Sequence, residues 1–124
     1  MIGTLQVVVL DCLDPGALAR FYQGLLGGEV DRPDRRWSLD EAWSTLHLDS
    51  GQVLAFQGAA QHRPPVWGDP ARPQQSHVDV AVTDLDAAHE AVLALGATLL
   101  HDPANGVWRV YADPAGHPFC LVRD

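Results

Sequence analysis

The sequence predicts an α+β fold built from two half-copies, each running strand, helix, strand, strand, strand. Three observations predict it. The apolar spacing switches twice from strand-like to helical; an aspartate that can cap a helix stands at Asp14 and again at Asp84; and a glycine turn divides the last two extended stretches of each half.

Residues 5–10 (LQVVVL) form a short β-branched run that predicts a buried strand. In DPGALARFYQGLLGG, Asp14 is placed to cap a helix and Pro15 takes its first position, where a missing N–H costs nothing. Leu18, Phe21, Tyr22 and Leu25 share one helical face, and Gly27 and Gly28 end the segment. Extended stretches follow at 29–37, 43–49 and 52–57, the last two divided by Asp49-Ser50-Gly51. Residues 58–75 carry four of the nine prolines and little periodicity, which predicts a connecting loop long enough to line a site or link the halves.

The order then repeats. In residues 77–82 (HVDVAV), Val78, Val80 and Val82 fall on one strand face, His77, Asp79 and Ala81 on the other. Asp84 precedes a helix whose stripe is Leu85, Ala88, Val92 and Leu95, stopped by Gly96. Extended stretches at 97–101, 107–112 and 118–123 complete the half, with Asp113-Pro114-Ala115-Gly116 turning between the last two. Superposing Asp14 on Asp84 sets Val7 on His77 and Ala17 on Ala87. One helix on one side of a few strands cannot enclose its own sheet, so the halves are expected to form a single domain: module one about 1–58, a linker about 59–75 and module two about 76–124.

Composition excludes several functions. The 124 residues hold 8 arginines, no lysine and 16 acids, for a net charge of −8, so a phosphate backbone would be repelled and nucleic acid is excluded as a partner. The charge suits a neutral or cationic ligand. No apolar run is long enough to span a bilayer, and the start lacks the basic segment and cleavage site of a secretory signal. Cys12 and Cys120 make no disulfide framework, so a cytoplasmic protein with reduced thiols is expected.

If the valines of 78–82 pack on the helix, His77 and Asp79 face either solvent or a binding surface. His77 can donate, accept or move a proton, and Asp79 can orient it or meet a cation. Cys120, between Phe119 and Leu121, reads as core or pocket wall before nucleophile, since a reactive thiolate needs a cationic neighbour. Trp67, in PPVWGDP, belongs to no periodic face and suits a stacking wall. On 107–112, Arg109 and Tyr111 are assigned to the binding side and Trp108 to the other, Arg109 as a partner for a ligand acid. Trp43, His47 and Phe56 are the first-half candidates, with the strand faces there left open.

Three passages, DCLDPGALARFYQGLLGGEV, HVDVAVTDLDAAHEAVLALGA and WRVYADPAGHPFCLV, resemble the vicinal oxygen chelate superfamily of glyoxalase I, bleomycin-resistance proteins and extradiol dioxygenases, and within it the glyoxalase-like domain branch. The resemblance covers nearly the whole chain. It implies paired βαβββ modules whose mixed sheets curl into a cup, in a homodimer, and in metal-dependent members four ligands. His77 stands at the second module's first ligand position, and Val7 at the equivalent place in the first. Four residues past Gly116, where such relatives carry glutamate, stands Cys120; the same count from Gly51 reaches Ala55. Two of the four positions cannot ligate, so no resident metal is expected, although His77 and Cys120 with His47 or His117 leave a divalent ion such as zinc open. The leading expectation is therefore metal-independent binding of a small organic molecule, of the drug-sequestering, antibiotic-resistance type. A metal-dependent lyase, isomerase or dioxygenase, and a metal-free acid–base enzyme using His77, remain alternatives.

Overall fold

The computed structural model describes residues 1–37 and 40–124. It divides into two compact units, Met1–His62 and Arg63–Asp124.

In the first unit β1 (Val8–Cys12) leads into α1 (Pro15–Leu26), followed by β2 (Glu29–Val30), β3 (Trp43–His47) and β4 (Val53–Gly58). The sheet order is β1-β4-β3-β2, with β1 parallel to β4 and the other pairs antiparallel. The Asp14 carboxylate accepts from the Ala17 amide at 3.0 Å, satisfying one of the donors a helix start leaves orphaned. Leu18, Phe21 and Tyr22 bury the predicted face of α1. Phe56 of β4 stacks on Tyr22 with ring centroids 5.7 Å apart, which fixes the face of this sheet that α1 covers.

Two boundaries differ from the sequence reading. The first strand is 8–12 rather than 5–10, and Met1–Gln6 lie exposed outside it. The stretch 29–37 yields only the two residues of β2. The chain leaves the sheet at Asp31, whose φ of 54° is left-handed. Its carboxylate holds that turn by accepting from Ser44 Oγ at 2.7 Å and the Thr45 amide at 2.9 Å.

The second unit repeats the plan: β5 (Val78–Val82), α2 (Leu85–Leu95), β6 (Thr98–His101), β7 (Trp108–Ala112) and β8 (Pro118–Arg123), in sheet order β5-β8-β7-β6. The Asp84 carboxylate accepts from the Ala87 amide at 2.9 Å, and Gly96 ends α2 at a φ of 108°. Residues from Arg63 onward pack with this unit. Their approach depends on Gly116: at a φ of 90°, a Cβ there would run into the ring of Pro64. Arg72 Nη2 donates to the Pro64 carbonyl at 2.8 Å, and the Val66 amide donates to the Arg72 carbonyl at 2.8 Å, closing the loop. No helix among the described residues is long and apolar enough to cross a membrane.

Because the Asp84 cap is a single local hydrogen bond, Asp84→Ala is expected to cost roughly 1 kcal/mol and to lower the melting temperature by about 4–8 °C for a unit of this size. A circular-dichroism melt indistinguishable from that of the parent chain refutes the assignment.

Candidate functional site

Strand pairing in the second unit sorts every side chain of the sheet to one of two faces. β5 runs parallel to β8 with Val78 opposite Phe119, Asp79 opposite Cys120 and Val80 opposite Leu121. β7 runs antiparallel to β8 with Trp108 opposite Val122, Arg109 opposite Leu121, Val110 opposite Cys120 and Tyr111 opposite Phe119. Directly opposed residues share a face. Val80, Phe119, Leu121 and Tyr111 are buried together. This is the α2 face, where Tyr111 stacks on Phe119 at 5.5 Å and its hydroxyl lies 2.9 Å from His89 Nδ1.

The face assigned to 107–112 by sequence is therefore corrected. Arg109 and Tyr111 lie on the helix side and Trp108 on the open side. The polar ends of both find partners on the helix side: Arg109 Nη2 donates to Asp86 at 2.7 Å, its Nε to Asp102 at 3.0 Å and its Nη1 to the Leu85 carbonyl at 3.3 Å. Its guanidinium is committed to ion pairs within the fold, and the hydrogen bond to Asp86 is the main reason its pKa rises. Neither residue lines the cavity on the opposite face.

On the open face, Trp108, Val110, Cys120 and Val122 join His77, Asp79, Trp67 and Gln74 around a cavity of about 410 Å³. Trp67 comes from the proline-rich loop and stacks on His101 of β6 at 6.3 Å, and His101 in turn lies 5.7 Å from Trp108. Two indoles thus wall the cavity, braced through one imidazole. From sequence Trp108 is assigned to the other face, and Val110, Val122 and Gln74 are not singled out. Correct parity on β7 and β8 identifies the first three, whereas Gln74 lies in a loop with no periodic signal.

At one wall, ligand-capable atoms of His77, Asp79 and Cys120 lie within 4.8 Å of one another. His77 Nε2 is 3.5 Å from Asp79 Oδ1, and both side chains are exposed. The Cys120 thiol is pushed up to about 11, first by burial, then by the negative charge of Asp79 and by its hydrogen bond to that carboxylate. At neutral pH Cys120 is therefore a protonated donor to Asp79 rather than a nucleophile. His117 is not in this cluster; its amide donates to Asp113 at 3.0 Å in the turn before β8.

In the first unit Phe56 is a core residue, packed between the sheet and Tyr22 of α1 and fully buried, which corrects its assignment as a ligand contact. Trp43 and His47 lie on the opposite face of that sheet, since Ser44 rather than either of them pairs with Phe56. His47 is 2% exposed, with Arg32 Nη2 at 3.2 Å from its Nδ1 and the Trp37 ring nearly perpendicular to its own, centroids 5.7 Å apart. Burial, and secondly the charge of Arg32, lower its pKa, so the ring is neutral. A guanidinium can only donate, which places the ring proton on Nε2. Among the described residues that Nε2, Thr45 Oγ1 and Trp43 Nε1 have no hydrogen-bond partner although all three are buried. Thr45 was not anticipated.

Residues 7–122 match the model of the glyoxalase-like domain. The chain belongs to the glyoxalase-like domain family. No curated protein matches it. Among solved structures, it is similar to the fosfomycin resistance protein FosX from Listeria monocytogenes, with 17% identity and a TM-score of 0.68 over 100% of this chain and 95% of the other. A mutant of that protein, complexed with Mn(II) and 1S,2S-dihydroxypropylphosphonic acid, gives 19% identity and a TM-score of 0.69 over 98% and 93%. A glyoxalase-related enzyme from Fulvimarina pelagi gives 21% identity and a TM-score of 0.66 over 99% and 89%. At these identities the likeness establishes the vicinal oxygen chelate fold, α+β with paired βαβββ modules, and leaves the chemistry to the residues themselves.

The thiol of this glyoxalase-like domain supplies a direct check on the cluster. Because the protonated form is favoured in the fold, alkylation of Cys120 by iodoacetamide is expected to be slow at neutral pH and to rise with a midpoint near 11. The stability this proton lends is present below the ordinary thiol value and is lost as pH climbs through the raised one. Asp79→Asn removes the charge but not the burial, so the midpoint moves only part of the way back. A midpoint at or below the ordinary thiol value in the parent chain contradicts this geometry.

Proposed function

We propose that the second unit binds a small organic cation carrying a flat ring, holding it rather than converting it, as a drug-sequestering protein does. The observation that carries this reading is the cavity of about 410 Å³ with Trp67 and Trp108 as walls and Asp79 at one side. That volume lies within the range of small-molecule sites, and indole faces attract cations through their quadrupoles. None of the described residues lining it is Lys or Arg. An anionic ligand such as a phosphonate therefore finds no strong cationic partner, whereas a cation meets the Asp79 carboxylate in a chain of net charge −8. His77 is well placed to accept or donate one hydrogen bond and fix the ligand's orientation.

A second reading rests on the convergence of His77, Asp79 and Cys120. One imidazole, one carboxylate and one thiol form a donor set that suits Zn²⁺ better than the hard Mn(II) held by the FosX mutant. Those three residues would hold the ion and leave one position open. An ion so held supplies Lewis acidity to a bound oxygen. Cys120 would lose its proton on binding, so uptake has to displace a tightly held hydrogen.

Titration with 1-methylquinolinium, followed by tryptophan fluorescence, is expected to quench emission saturably. Asp79→Asn and Trp108→Ala are each expected to weaken binding about tenfold, roughly 1.4 kcal/mol. Absence of saturable quenching defeats the first reading. Loading with Co²⁺ separates the second: a thiolate-to-cobalt charge-transfer band, lost in Cys120→Ser, supports a resident metal, and its absence in the parent chain rejects one.

A further inference from the structure

We infer that the ligand is elongated and bears two flat cationic groups, one in the cavity beside Asp79 and the other in an adjoining groove on the far side of Trp67. This inference rests on the binding reading above and extends it to the ligand's class. A second concavity of about 580 Å³ is lined by Trp67, Asp69, Gln74 and several prolines, Pro65 and Pro118 among them. Trp67 and Gln74 line both spaces, so the groove continues the cavity and the two share an indole.

The groove repeats the chemistry of the cavity. Proline rings and an indole supply apolar walls, and one carboxylate, Asp69, supplies charge. Lys and Arg are missing from the described lining of either space. The walls are set before any ligand arrives. The Asp69 amide donates to the Val66 carbonyl at 3.0 Å and the Arg72 amide to the Asp69 carbonyl at 3.1 Å, while Asp69 Oδ1 accepts from the Ala71 amide at 2.8 Å. Trp67, although 42% exposed, is braced on His101. A preformed wall costs little ordering on binding, and two linked rings gain from the high effective concentration of the second once the first is seated.

Bisquinolinium compounds joined by alkyl chains of increasing length test the inference against 1-methylquinolinium, with the full chain as receptor. At one intermediate length the bis-compound is expected to bind at least tenfold tighter than the single ring. Asp69→Asn keeps the turn to Ala71, and is expected to remove most of that gain while leaving 1-methylquinolinium binding unchanged. If no chain length improves on the single ring, or if Asp69→Asn weakens both ligands equally, the two-headed ligand is wrong and the binding reading survives. If 1-methylquinolinium itself does not bind, both fall together.

Discussion

The parity of β8 governs the second unit. Phe119 and Leu121 point to α2, so Cys120 and Val122 point away, and hydrogen-bonded pairing extends that choice to β5 on one side and β7 on the other. Because side chains alternate with period two, a slip of one residue would exchange Arg109 and Tyr111 for Trp108 and Val110 and turn His77 and Asp79 toward the helix. The burial of Phe119, Leu121 and Tyr111, all fully enclosed, sets the cost of such a slip far above anything the open face could recover. The cavity is the remainder left after the hydrophobic core has chosen its side.

The same parity explains which parts were legible in the sequence. On β5 the valines alternate with His77, Asp79 and Ala81, and the apolar set names the core face without ambiguity. On β7 the run Trp108-Arg109-Val110-Tyr111 offers an aromatic on each face and gives no such vote. The usual expectation, that a charged residue faces the ligand, failed because Asp86 and Asp102 neutralise Arg109 on the helix side. The helix caps were legible because a cap is a local bond between residues three apart. The shortening of 29–37 to two strand residues was not, since it depends on Asp31 reaching across to Ser44 and Thr45, a contact between residues far apart in the chain.

Charge is divided between the faces in the same way. Arg109 is held by two carboxylates and a carbonyl, and Arg72 closes its loop onto Pro64. Arg72 and Arg109 are thereby used to bind the chain to itself, whereas Asp79 and Asp69 are left lining space. A site acquires its sign by what the fold has already consumed, and here the fold has consumed two guanidinium groups.

Cys120 draws these threads together. It stands directly opposite Asp79. A glutamate there would set two carboxylates side by side on neighbouring strands, a repulsion that a bound cation relieves. A thiol removes that demand: it keeps its proton, donates to Asp79, and leaves Asp79 as the one carboxylate among the described lining residues. Zinc and an organic cation would then compete for the same oxygen atoms. The metal has to expel the Cys120 proton to win, and the organic cation does not, so rising pH shifts the balance toward the metal and falling pH toward the ring.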